Sequence, residues 1–284
     1  MIDKVGVVGC GVMGAGLAEL CARSGLDVKV AVSRPSSADA GLGRISRSLE
    51  RAVGRGKLSE SERDAALGRI SFTADLLEFE DRRLVVETVP EDEVTKLDIF
   101  SRLDKVVRDP DAILASNTSS IPIARLAAVT SAPERVIGLH FFNPVQVLAL
   151  VEVISSLVTA PGVRERAEEF VTGVLGKQVV SSPDRAGFVV NGLLVPYLLG
   201  AVRVVESGFS TASEVDRGMT LGCAHPMGPL ALIDLIGADV VVHVARALYA
   251  EYGEPLYAPP PLLVRMVESG LLGKKSGHGF YSYG

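Results

Sequence analysis

The sequence predicts an α/β protein in two parts: a doubly wound parallel sheet over residues 1–183, then an all-helical domain over 184–284. Three observations carry this expectation. Apolar, β-branched runs alternate with helical periodicity through the first part. A glycine-rich turn closes the first run. The alternation stops at Ser181-Ser182-Pro183-Asp184-Arg185-Ala186-Gly187, and only helical patterns follow. Strands that alternate with helices pair in parallel, because each crossover returns the chain to the same end of the sheet.

Residues 5–8 form the first short strand, and Met13, Leu17, Leu20 and Cys21 then recur at helical spacing over 12–23. A second strand is expected at 28–32, polar helices at 44–53 and 60–67, a strand at 84–89 and a helix at 94–107. Strands follow at 113–116, 136–142 and 150–154. A helix opened by Pro161 covers 161–175, and 179–180 ends the alternation. The second part reads as helices at 189–206, 213–221, 230–249 and 261–269. These helices look apolar on more than one face, so the part is expected to bury surface against the first domain or a second copy of itself.

Composition narrows the function classes. Among 284 residues, 29 Lys and Arg stand against 34 Asp and Glu, a formal charge of −5, with no Trp. Such a chain lacks the basic stripe and stacking platforms of a nucleic-acid binder. Cys10, Cys21 and Cys223 show no CxxC spacing, which predicts neither a disulfide framework nor a metal site. The apolar stretch 188–202 is interrupted by Asn191, Gly192, Pro196 and Gly200 and is too short to span a bilayer. The start of the chain has no basic leader pattern, so a cytoplasmic location is expected.

Gly9, Gly11 and Gly14 give GxGxxG between the first strand and the first helix. That context is a dinucleotide fingerprint on a Rossmann-like unit: a tight turn, close approach of pyrophosphate, and close helix–strand packing. The acid that usually grips the ribose 2′-OH is absent from the tip of the second strand, where Val32, Ser33, Arg34 and Pro35 stand. Ser33 and Arg34 would suit a 2′-phosphate, which favours NADP over NAD as the cofactor.

Three segments combine polar groups with strand ends: Ser116-Asn117-Thr118-Ser119-Ser120, His140-Phe141-Phe142-Asn143 and Leu150-Val151-Glu152-Val153. Ligands of open α/β sheets bind at the carboxyl ends of strands. His140 is a natural general base there. Glu152 sits in an apolar strand and needs a partner; His140 would serve, and so would an Arg or Lys in a purely structural pair. Asn191 is an amide early in the first helix of the second part, where it too calls for a hydrogen-bond partner.

Together these stretches resemble the L-3-hydroxyacyl-CoA dehydrogenase family, in particular its short bacterial members that act on 3-hydroxybutyryl-CoA. The matching segments are VGVVGCGVMGAG (5–16), LVVETVPED (84–92), ASNTSSIPI (115–123), GLHFFNPV (138–145), LVEV (150–153), GKQVV (176–180), GFVVN (187–191), HPMGPL (225–230) and GKKSGHGFY (273–281). The resemblance implies a Rossmann-like domain and a helical dimerisation domain, hence a homodimer through the second part. It implies His140 as catalytic base with Glu152 as its partner, and Ser119 and Asn191 as substrate contacts. It also implies cofactor contacts at Val12 and Met13 within the glycine turn and at Glu91, Lys96, Asn117 and Asn143. The expected reaction interconverts a (3S)-3-hydroxyacyl-CoA and a 3-ketoacyl-CoA.

Two departures qualify the match. Members of the family commonly carry an acid where Val32 stands, and often offer Lys to the CoA phosphates where Ala40, Gly41, Leu42 and Gly43 stand; Arg44 and Arg47 are the substitutes at hand. The alternatives are a dehydrogenase of a carrier-protein-bound or free hydroxy acid, or a dinucleotide-binding protein without turnover.

Overall fold

The apolar runs of the first part fold as strands of one sheet in a computed structural model that describes residues 2–284. In chain order the elements are β1 (Lys4–Val8), α1 (Val12–Arg23), β2 (Asp27–Ala31), α2 (Pro35–Gly54), α3 (Glu60–Gly68), β3 (Ile70–Thr73), β4 (Leu84–Glu87) and α4 (Glu93–Val106). Then come β5 (Ile113–Ser116), α5 (Ile123–Ala127), β6 (Val136–Phe141), β7 (Leu150–Ser155), α6 (Pro161–Glu169) and β8 (Gln178–Pro183). The strand order is β3-β2-β1-β4-β5-β6-β7-β8. Every pairing is parallel except β6 with β7. The order reverses between β1 and β4, the place where open α/β sheets hold a nucleotide.

Val5, Val7, Val28, Val30, Leu84 and Val86 are buried in the sheet, and α1 lays Leu17, Ala18 and Cys21 against them. Short caps fix where helices start. Ser59 and Glu62 form a reciprocal capping box on α3, and Asp92 accepts the Thr95 N–H on α4. Asp184, just past β8, accepts the N–H groups of Ile123 and Ala124 at 2.8 Å each and so caps α5. That tie places Asp184 with the sheet, and the chain divides at Arg185–Ala186 rather than after Pro183.

Residues 186–284 form a second unit with α7 (Val190–Glu206), α8 (Ala212–Gly222), α9 (Pro229–Ile236), α10 (Ala238–Tyr252) and α11 (Pro261–Glu268). Its core gathers Leu198, Leu199, Val202, Leu230, Ile233, Val241, Ala245 and Leu248. Asp216 caps α9 through Leu230 and Ala231 N–H. Asp234 accepts from Phe280 N, Tyr281 N and the Tyr283 hydroxyl, which ties down the end of the chain.

The structure corrects several expected bounds. The helix expected at 44–53 begins nine residues earlier, at Pro35, whose ring suits a first helical position. Residues 70–73 form an unexpected edge strand beside β2. The helix expected over 230–249 is two helices. Gly237 breaks it at φ 108°, a conformation closed to residues with a side chain. The helix from Pro161 ends at Glu169 and continues as one wide π turn over Phe170–Val174. No helix among the described residues is long and apolar enough to cross a membrane, and no cluster of potential ligands among them could hold a metal ion.

Candidate active site

At the end of β1 the chain turns sharply at Gly9, whose φ is 95°. A Cβ on Gly14 would lie 2.1 Å from the Gly9 carbonyl oxygen and 2.5 Å from Thr88 Oγ1, so helix and turn approach as only glycine permits. A Cβ on Gly11 would meet nothing within 4 Å, which leaves that backbone open to a ligand. The N-terminus of α1 has no side-chain cap and no acid in its first turn, so its N–H groups remain directed at an anion. A cavity of about 810 Å³ opens from this turn, with Val12, Met13 and Ser33 in its lining. These features fit a dinucleotide.

Arg44 also lines this cavity, and its guanidinium donates to the Cys10 carbonyl at 3.2 Å. Arg34 does not line it; its residue is exposed at the start of α2. Two cations line this cavity, Arg44 and Arg102, and the one from α2 is Arg44, ten positions beyond the expected Arg34. Burial pushes the Cys10 thiol up to about 11 against the pull of Arg44, so this thiol stays protonated and weakly reactive.

The ends of β4 and β5 carry a network of ions and hydroxyls. Lys96 Nζ lies 2.7 Å from Glu87 Oε1 and 3.3 Å from Glu91 Oε2. Glu91 Oε1 accepts from the Ser119 and Ser120 N–H groups at 3.0 and 3.1 Å, the Ser120 hydroxyl at 2.8 Å, and the Thr118 hydroxyl. Burial opposes the Glu91 charge, but Lys96 and then these hydrogen bonds outweigh it and hold the carboxyl below the usual range. Asn117 Oδ1 accepts the Phe141 N–H at 2.8 Å, which fastens the turn after β5 to the end of β6.

Two of the expected cofactor contacts are thereby engaged inside the protein. Lys96 is only 1% exposed and surrounded by acceptors, so its ammonium offers no surface to a ligand. Sequence reasoning missed Glu87. The signal that singled out Glu152, a carboxylate in an apolar strand, was equally present in Leu84-Val85-Val86-Glu87.

His140 and Glu152 face each other across the antiparallel pair β6–β7, with His140 Nδ1 2.8 Å from Glu152 Oε2. Both are buried, and Phe142 packs against the imidazole with ring centroids 4.6 Å apart. The partner of Glu152 is thus the histidine. Asn143 lies just beyond β6 before a cis bond to Pro144, and borders a smaller cavity of about 350 Å³ with Arg44, Arg47, Ser48, Arg51 and Gln146. Asn191 is the second residue of α7 in the second unit.

Residues 4–185 match the family model described as 3-hydroxyacyl-CoA dehydrogenase, NAD binding domain, and residues 187–283 match its C-terminal domain. The chain belongs to the 3-hydroxyacyl-CoA dehydrogenase family. A 3-hydroxybutyryl-CoA dehydrogenase of Mycobacterium tuberculosis is 58% identical over 282 residues, 99% of each chain. The crystal structure of M. tuberculosis FadB2 superposes with a TM-score of 0.99 at 57% identity, covering 100% of this chain and 99% of that one. The (S)-3-hydroxybutyryl-CoA dehydrogenase PaaH1 of Ralstonia eutropha gives a TM-score of 0.95 at 40% identity, with both chains fully covered.

Proposed function

We propose that this member of the family interconverts (3S)-3-hydroxybutyryl-CoA and acetoacetyl-CoA with a nicotinamide dinucleotide. The buried His140–Glu152 pair, in the same unit as the dinucleotide turn, carries the reading. The dinucleotide supplies or accepts the hydride. Gly9, Gly11, Val12, Met13 and Gly14 would hold its phosphates, with Glu91, Asn117 and Asn143 nearer the reacting end.

His140 does the proton chemistry. Its Nδ1 faces Glu152, so Nε2 takes the 3-hydroxyl proton during oxidation and returns it during reduction. Glu152 fixes the ring plane and offsets the positive charge that the ring then carries. Ser119 suits a substrate contact for a specific reason. The hydroxyls of Ser116, Thr118 and Ser120 are bonded within the protein, whereas that of Ser119 has no partner among the described residues. Asn191 is the second substrate contact in this reading.

The three arginines of the smaller cavity favour a CoA thioester over a free hydroxy acid, since a phosphorylated carrier supplies the anions they would bind. Ser33 and Arg44 at the larger cavity, with no carboxylate at the β2 tip, support use of NADP at least as readily as NAD. The exposed apolar residues Leu193, Phe209, Leu221 and Leu235 of the second unit support a homodimer through that unit. Free thiols at Cys10, Cys21 and Cys223 suit a reducing compartment, and we place the protein in the cytoplasm.

The test follows nicotinamide absorbance with acetoacetyl-CoA, NADH and NADPH in parallel, against free 3-hydroxybutyrate in the reverse direction. Turnover of the thioester with either dinucleotide supports the proposal, and a large NADH preference would remove the NADP part of it. Turnover of the free acid alone would favour the rival hydroxy-acid dehydrogenase. Binding of dinucleotide without turnover would favour a non-catalytic role.

A further inference from the structure

We infer that Glu87 and Lys96 are positioning residues: a buried ion pair that fixes Glu91 and, through it, the turn that presents Ser119. The inference rests on the proposed function for its catalytic consequence and on buried contacts for the rest. Glu87 and Lys96 side chains are 0% and 1% exposed. An ion pair so deep gives little net stability, because desolvation cancels most of the attraction; apolar side chains of similar volume would serve the packing as well. Its use lies in what it holds.

One oxygen of Glu91 receives four donors from Thr118, Ser119 and Ser120. That demands an ionised carboxylate, since a protonated carboxyl accepts less and donates in turn. The opposite oxygen faces Lys96. Glu87 grips the other end of the same turn, accepting the Ser116 hydroxyl at 2.7 Å, and Ser116 Oγ in turn accepts the Thr118 N–H at 3.2 Å. Glu87 Oε1 also takes the Val89 N–H at 2.6 Å. One ammonium thus lies against both carboxylates, and the two carboxylates clamp residues 116–120 from both ends. Ser119 is left as the hydroxyl the clamp does not use.

The groups facing Glu91 define what its titration would report. They are Lys96 from α4, Glu87 of β4 behind it, and the hydroxyl and amide groups of Thr118, Ser119 and Ser120 after β5. The ion pair that joins α4 to α5, Glu93–Arg125, is exposed. Without Lys96, only the hydrogen bonds of the turn would oppose burial, so the Glu91 carboxyl would rise from its value in the parent and its bonds to the turn would weaken at a higher pH.

The experiment compares the full-length protein with Lys96→Met and with the double variant Glu87→Gln/Lys96→Met, which removes both buried charges together. Amide hydrogen exchange is measured on unliganded protein between about pH 8 and 6. Steady-state kinetics with acetoacetyl-CoA follow over the same range. We expect both variants to exchange faster at 117–121 by about tenfold or more, increasingly so at the acid end, with the rest of the sheet still protected. kcat/KM should gain a new acidic limb that the parent lacks.

Unchanged protection at 117–121 together with an unshifted pH profile in the double variant would overturn the inference. Loss of protection across the whole first unit in both variants would also overturn it, by making the pair a requirement of the fold. If the parent does not turn over acetoacetyl-CoA, the proposed function fails, while the exchange data still decide whether the clamp exists.

Discussion

Replacing Glu152 by Gln keeps the shape of the strand and removes one charge, which makes it a sharp probe of the His140 pair. The carboxylate oxygen lies 2.8 Å from the ring nitrogen, and both side chains are buried. At an effective dielectric of about 20, unit charges roughly 3–4 Å apart attract by about 4–6 kcal/mol. A neutral amide retains a hydrogen bond of roughly half the strength of the charge-assisted one. About 2–4 kcal/mol of support for the protonated ring is thereby lost. In the oxidation of (3S)-3-hydroxybutyryl-CoA the ring gains its proton at the transition state, so kcat should fall by roughly 30- to 1,000-fold. Glu152 does not line the dinucleotide cavity, so dinucleotide affinity by calorimetry should stay close to that of the parent. Oxidation by Glu152→Gln within about threefold of the parent would refute the assigned role.

Gly14→Ala should abolish dinucleotide binding and lower the melting temperature, because the added Cβ falls 2.1 Å from the Gly9 carbonyl oxygen; tight binding in calorimetry would contradict the packing argument. Asp104→Asn should cost about 1–3 kcal/mol near neutral pH in urea unfolding, since it strips the charge partner from buried Arg135. Burial opposes the Asp104 charge, but the Ser131 bonds and Arg135 hold its carboxyl below the usual aspartate value. Its contribution is therefore present above about pH 4 and lost as pH falls through the folded value, so the difference between parent and variant should shrink on acidification. Asp234→Ala should leave Phe280 and Tyr281 N–H groups without their acceptor and cost about 2–4 kcal/mol. Rapid exchange confined to the end of the chain is the expected signature.

Much of the fold was legible because its cause is local. The apolar runs around Val5, Val28, Val86 and Leu114 are β-branched or aliphatic and bounded by turn residues, and each became a strand. The edge strand at Ile70–Thr73 was not legible, as four residues with Ser71 among them carry almost no pattern. Gly237 stood between apolar stretches on both sides, so hydropathy ran two helices together. His140 and Glu152 each signalled an unusual polar group near a strand end. Their union needed the antiparallel register of β6 and β7, which hydropathy does not encode. Electrostatics inside the core was the least visible. A hydropathy pattern treats Glu87 and Lys96 as charges to be solvated, yet they pair where no water reaches. The α2 arginine at the cavity differs from the expected one. Arg34 was nearer in sequence to the expected acid, but the earlier start of α2 turned Arg44 to the cavity instead.

His140 is proposed to carry the proton in hydride transfer on an acyl-CoA thioester. The most direct measurement compares parent and His140→Ala in acetoacetyl-CoA reduction, with dinucleotide affinity measured on the same samples. The expected result is a loss of kcat of about 10²- to 10⁴-fold with dinucleotide affinity nearly unchanged. Turnover by His140→Ala equal to that of the parent would contradict it.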